Sequence, residues 1–99
     1  MELQGLPGWR HEGARLVKTF SFPGYMDGVR FANKVAEAAE ALNHHPDMWI
    51  RFRSVTLELS THSAGGVTQL DLALARRADE LAAGPVAPGA GEAAGSGGG

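Results

Sequence analysis

A chain of 99 residues whose segment 84–99 is mostly Gly, Ala and Pro has room for one domain and excludes a separate cofactor-binding domain. Nine Lys and Arg against eleven Asp and Glu, with no block of one sign, argue against a nucleic-acid partner, and the lack of cysteine excludes disulfides and thiolate metal sites, which makes the cytoplasm the simplest location. The N-terminal run MELQGLPGWRHEG has no basic flank followed by an apolar core, and no apolar run is long enough to span a bilayer, so neither export nor a membrane is expected.

Taken in chain order, Gly8 to Glu12 and Arg15 to Phe22 read as two extended runs about the turn Glu12-Gly13-Ala14. Pro23-Gly24 breaks the second run. From Tyr25 to Asn43, Phe31, Val35, Ala39 and Leu42 recur at helical spacing, while Arg30, Lys34, Glu37 and Ala41 lie on another side, which predicts an amphipathic helix. Asn43 tolerates the left-handed conformation of a helix end, and Pro46 cannot continue the helix. Met48, Ile50 and Phe52 then alternate with Trp49, Arg51 and Arg53, and Val55, Leu57 and Leu59 alternate with Thr56, Glu58 and Ser60, which predicts two strands with one buried face each. By that parity His62 falls on the face opposite the Val-Leu-Leu stripe. Thr68 and Asp71 have the spacing of an N-cap for a helix over 69–83, with Leu70, Leu74, Ala78 and Leu81 as its apolar stripe and Arg76 and Glu80 as an exposed pair.

The expected architecture is therefore α+β in the order ββαββα, in a domain spanning 1–83. Residues 84–99 hold too few large apolar groups to offset the entropy of ordering them and read as a disordered tail. So small a domain buries a modest share of its surface, and a homo-oligomer is the default expectation.

Histidine is the first chemical signal, because imidazole titrates near neutral pH and can both give and take a proton. Of the four in the chain, His11 stands alone in the first hairpin and reads as an ordinary surface residue. His44 and His45 follow the predicted helix, and Glu40 stands at i, i+4 to His44, where a carboxylate can fix the imidazole tautomer and raise its basicity. That spacing is also common on solvated helix faces and is no site by itself. Pro46 restrains the backbone behind the two histidines and lowers the entropy cost of presenting them.

A metal centre built from His44, His45, His62 and either Glu40 or Asp71 is the competing reading. Adjacent histidines diverge more readily than the i, i+4 pairs that clasp zinc, and no His-Glu-x-x-His or cysteine ligand pattern exists, so no metal is expected. Nucleophilic catalysis has no support either, since there is no Cys and no Gly-x-Ser-x-Gly elbow. Gly65-Gly66 lacks the lysine and spacing of a phosphate-binding loop.

Read together, the spacings form one pattern: Glu40, three residues, His44-His45-Pro46, five residues, Phe52, nine residues, His62, eight residues, Asp71. This resembles the signature of the pterin-4a-carbinolamine dehydratases, and the likeness runs from Leu6-Pro7-Gly8-Trp9 through Phe31, Lys34, Val35 and Ala39 to the stretch from Leu59 to Thr68 and on to Asp71, covering most of residues 6 to 82. The resemblance implies a four-stranded antiparallel sheet with two helices packed on one face, assembled as a homodimer or homotetramer. It also implies a reaction, loss of water from 4a-hydroxytetrahydrobiopterin to give quinonoid dihydropterin, which recycles the pterin of aromatic amino-acid hydroxylases and consumes no metal or organic cofactor. By resemblance His44, His45 and His62 line the pterin pocket and share the acid and base roles, supported by Glu40, Pro46 and Asp71. Trp49 or Phe52 could supply a flat apolar wall for the ring, with core packing as the equal alternative.

Two features depart from the common pattern. Only about eight residues precede Trp9, where many members carry a further helix, and Met48 stands where many relatives have a bulky aromatic or branched residue. Some members of the family stabilise transcription-factor dimers or assist the assembly of other proteins, so a protein-binding role on the same fold is the alternative function.

Overall fold

A computed structural model describes residues 5–83 and the backbone of Glu2 and Leu3, and the expected tail over 84–99 lies outside the described residues. The elements are β1 (Glu2–Leu3), β2 (Leu6–Glu12), β3 (Arg15–Ser21), α1 (Tyr25–Leu42), β4 (Asp47–Ile50), β5 (Ser54–Leu59) and α2 (Gln69–Ala83), with a single 3-10 turn over His62–Ala64. The four main strands and two helices follow the order ββαββα. The short β1 adds a fifth strand on the β2 edge, where the sequence suggested no element, and the sheet order is β1-β2-β3-β5-β4 with every pair antiparallel.

Alternation decides what each strand buries. Leu16 pairs with Leu59 and Phe20 with Val55, so these residues, with Leu57, form one apolar face, while Val17, Thr19, Thr56 and Glu58 lie on the other. Both helices cover the first face. Phe31, Ala32, Val35 and Ala39 of α1 and Leu74, Ala75 and Ala78 of α2 share a single core with Leu6, Trp9 and these strand residues. Gly28 allows the close approach of α1 to β5, since a Cβ there would stand 3.3 Å from Val55 Cγ2. Phe20 ties the layers through its ring contacts with Trp9, at 6.0 Å between centroids, and Phe31, at 4.7 Å. The fully buried Trp9 donates its indole N–H to Asp79 Oδ1 at 3.1 Å, and Lys18 Nζ donates to the same oxygen at 2.8 Å, which fixes α2 over the first hairpin.

Several sequence expectations are corrected here. Gly13 takes φ +59° in the β2–β3 turn as expected, but β4 ends at Ile50 instead of running on to Arg53. The chain turns through Arg51–Arg53, where Arg51 N–H bonds Ser54 C=O, so of Met48, Ile50 and Phe52 only Met48 packs against the core. Leu70 is 42% exposed, because Asp71 and not Leu70 occupies the inward position of the first turn of α2. Glu80 pairs with Arg77 at 3.1 Å, one residue from the expected Arg76. Among the described residues no helix is long and apolar enough to cross a membrane.

The end of α1 sets up everything that follows. Asn43 takes the left-handed conformation (φ 51°, ψ 44°), Asn43 N–H bonds Glu40 C=O at 3.1 Å and His44 N–H bonds Ala39 C=O at 3.0 Å. This is a Schellman closure, which satisfies two of the last carbonyls and turns the chain sharply out of the helix. Asn43→Ala is expected to lower stability by about 1 kcal/mol, and Asn43→Gly to leave it unchanged or slightly raised, because only the alanine carries the left-handed penalty without a compensating side chain. Urea unfolding midpoints decide the matter, and identical midpoints for the two variants would contradict it.

Candidate active site

After Asn43, residues 44–46 lead into β4 without regular structure, and the proline at 46 keeps the residue before it out of the helical region and in the extended one. Successive side chains of an extended segment point to opposite sides. His44 therefore turns under the sheet edge towards α2, with its side chain 11% exposed, while His45 turns outward and is 57% exposed. The exit of β5 repeats the device. Thr61 points inward to the same cluster as His44, and His62, the first residue of the 3-10 turn, points outward beside His45.

The outward pair lines a cavity of about 370 Å³ together with Asp47, Glu58 and Ser60 from the open face of the sheet and Ala14, Arg15 and Gly65 from loops. That volume lies within the range of about 300–1,000 Å³ typical of small-molecule sites. Asp47 and Glu58 are direct cross-strand partners, so two carboxylates stand side by side, and Arg15 neutralises one of them through a contact of 3.2 Å to Glu58 Oε1. Ser60 Oγ donates to Ala14 C=O at 2.8 Å and closes the rim beside the first hairpin.

The inward cluster is built around Asp71, the one buried charged side chain among the described residues, with 0% exposure. Its Oδ1 accepts from His44 Nε2 at 2.6 Å. Its Oδ2 accepts from Thr61 Oγ at 2.7 Å and from Thr68 N–H at 2.8 Å, the latter being the expected cap of α2. Burial alone would push the Asp71 carboxyl up, but the hydrogen bonds from His44, Thr68 and Thr61, joined by the charge of His44 whenever that ring is protonated, outweigh it and hold the carboxyl below its ordinary value. Asp71 is thus a carboxylate locked among donors.

The arrangement corrects the pairing read from sequence. The carboxylate on His44 is Asp71 and not Glu40, whose Oε1 lies 3.5 Å from His45 Nε2 in a solvent-exposed contact. The Schellman turn is the physical cause, since i, i+4 neighbours meet only while the helix continues. Of the three histidines, His45 and His62 share the cavity and His44 stands behind it, hydrogen-bonded to α2. Trp49, half-exposed on the open sheet face, and Phe52, 68% exposed in the β4–β5 turn, do not line the cavity. Local sequence pattern does not mark Arg15, Asp47, Glu58 and Ser60 as site residues, although the alternation Glu58, Ser60, His62 puts two of them on the histidine's face. Thr61 carried no signal of its own. Among the described residues no group of three or more His, Asp or Glu side chains is arranged to hold a metal ion.

Comparison with known proteins points one way. Residues 1–81 match the model of a family described as pterin 4 alpha carbinolamine dehydratase. A protein of Thermomicrobium roseum is 50% identical over 80 residues, covering 81% of this chain and 86% of its own length, and one of Mycobacteroides abscessus is 51% identical over 77 residues, covering 78% and 82%. Both carry, provisionally, the name pterin-4-alpha-carbinolamine dehydratase. Among solved structures, a Brucella melitensis protein described as a transcriptional coactivator/pterin dehydratase superposes with a TM-score of 0.76 at 33% identity, covering 78% of this chain and 84% of that one. A pterin dehydratase-like protein identified as a RuBisCO assembly factor in the alpha-carboxysome superposes with a TM-score of 0.67 at 26% identity, covering 79% and 93%.

Proposed function

The chain belongs to the pterin-4-alpha-carbinolamine dehydratase family, and we propose that it catalyses loss of water from 4a-hydroxytetrahydrobiopterin to give quinonoid dihydropterin. The observation that carries this reading is the pair of imidazoles, His45 and His62, on one cavity of about 370 Å³, with His44 held behind them by a buried carboxylate. Dehydration breaks the bond from C4a to its hydroxyl oxygen and forms a double bond from C4a to N5. A proton must be delivered to the departing oxygen and another taken from N5, so that water leaves and the electron pair of the N5–H bond becomes the new double bond. Two imidazoles in one cavity are suited to these opposite tasks, and Asp47 offers an acceptor to the N–H groups of the pterin ring. With Nε2 of His44 engaged by Asp71, that ring is held in one orientation behind the two imidazoles that line the cavity.

The reading places the protein in pterin recycling as a homodimer or homotetramer, and the exposed Trp49, Ile50 and Phe52 along and just beyond the β4 edge favour self-association. Those side chains also favour a second reading, a protein-binding role of the kind named for the two structural neighbours. Stopped-flow absorbance of enzymatically generated 4a-hydroxytetrahydropterin, with and without chelator-treated protein, separates the two. Acceleration that survives the chelator is the expected result. A folded sample that leaves the spontaneous rate unchanged would reject the dehydratase reading in favour of the protein-binding one.

A further inference from the structure

The hydroxyls of Thr61 and Thr68 belong to no part of the reaction described so far, yet they are bonded in series behind His44. Thr68 Oγ lies 2.8 Å from Thr61 Oγ, and Thr61 Oγ lies 2.7 Å from Asp71 Oδ2. We propose that Thr61 and Thr68 are positioning residues, a hydroxyl relay that aims the Asp71 carboxylate at Nε2–H of His44 and so fixes the tautomer and orientation of the ring that stands behind His45 and His62. The effect on turnover rests on the dehydratase reading; the tautomer does not.

Proton counting assigns every donor. An ionised carboxylate only accepts, so the one hydroxyl proton of Thr61 goes to Asp71 Oδ2. The Thr61–Thr68 contact must then be Thr68 O–H donating to Thr61 Oγ, since Thr61 has no second proton to give. Thr68 Oγ in turn accepts Leu70 N–H at 3.3 Å from the first turn of α2. The relay thus runs in one direction, from a helix N-terminus to Oδ2, and Thr68 N–H at 2.8 Å secures the same oxygen. Oδ1 is left for His44, and a ring nitrogen 2.6 Å from a carboxylate oxygen carries the proton. Thr61 Oγ, 3.4 Å from the same ring nitrogen, can only accept from it and therefore favours the same tautomer.

The backbone here does not depend on the hydroxyl. Thr61 N–H bonds Gly66 C=O at 2.9 Å and Gly66 N–H bonds Thr61 C=O at 3.3 Å, a bridge that survives replacement of the side chain. Thr61→Val keeps the shape and removes one proton and one acceptor, Thr61→Ser keeps the hydroxyl, and Thr68→Val removes the second link while retaining the capping N–H.

The test uses the full chain. Long-range proton–nitrogen correlation spectra of the histidine rings, recorded without substrate, report the His44 tautomer, and stopped-flow dehydration reports kcat and KM. Wild type and Thr61→Ser are expected to show His44 protonated at Nε2, and Thr61→Val to show a mixture of tautomers with kcat reduced about tenfold or more and KM little changed. Should Thr61→Val not fold, Thr68→Val carries the same expectation. Retention of wild-type nitrogen shifts and kcat in the valine variant would overturn the proposal, as would a serine variant as impaired as the valine. A wild-type protein that never accelerates dehydration removes the dehydratase reading alone, because the loss of a single tautomer in Thr61→Val would still be observed.

Discussion

Replacing His45 by alanine is expected to cut kcat by about 10²- to 10⁴-fold while leaving the unfolding transition in place, the range associated with loss of one acid–base group. The side chain is 57% exposed on the outer side of the chain and belongs to no core contact. Its one ionic neighbour, Glu40 at 3.5 Å, is itself exposed, so the pair contributes about 0.5 kcal/mol or less. Turnover and stability are therefore separable at this position. The same substitution at His62 is expected to behave alike, and the double variant to be barely worse than the poorer single one, because two groups acting on one bound molecule do not contribute independently. Stopped-flow kinetics with urea unfolding of the three variants provide the check. Wild-type turnover by His45→Ala with an unaltered circular-dichroism spectrum would remove this residue from the reaction.

The separation of function from packing also explains which parts of the molecule could be read from sequence. Period-two and helical patterns record burial, so they located both hairpins, both helices and the outward face of His62. They misjudged Leu70 and the stretch from Ile50 to Phe52, where a cap and a turn override hydropathy: Asp71 takes the inward position in α2, and the bond from Arg51 N–H to Ser54 C=O ends the strand. The histidine partners failed for a related reason. An i, i+4 rule assumes a continuing helix, and the left-handed Asn43 that closes α1 sends His44 to Asp71 and leaves Glu40 to His45. Asn43 was itself legible as a helix end, but its consequence for side-chain direction needed the whole fold, since Asp71 lies 27 residues beyond His44 along the chain. Thr61 was hidden for the same reason, and Thr68 is legible only as the cap of α2, the contact between the two hydroxyls arising only where β5, α2 and the end of α1 converge.

Asp71→Asn is expected to be the most destabilising conservative change in the domain, by about 2–4 kcal/mol at neutral pH. Three donors converge on the carboxylate, from His44, Thr61 and Thr68, and an amide of the same shape can accept on one side only while its own N–H groups face the others. A buried donor left without an acceptor costs about 1–3 kcal/mol, a large share of a total stability of about 5–15 kcal/mol. Acid should reproduce the defect in the wild-type protein. The folded-state pKa of Asp71 lies below the ordinary value of 3.8, so the native state binds a proton less readily than the unfolded chain. Its contribution to stability is then complete well above that value and is lost as pH falls through 3.8 towards the folded pKa. Asparagine cannot titrate, so the gap in urea unfolding free energy between wild type and Asp71→Asn should be widest near pH 7 and shrink once the solution is more acidic than about pH 4. A gap that stays constant down to pH 3 would mean that Asp71 acts by shape and not by charge, and would remove the electrostatic basis for a single His44 tautomer.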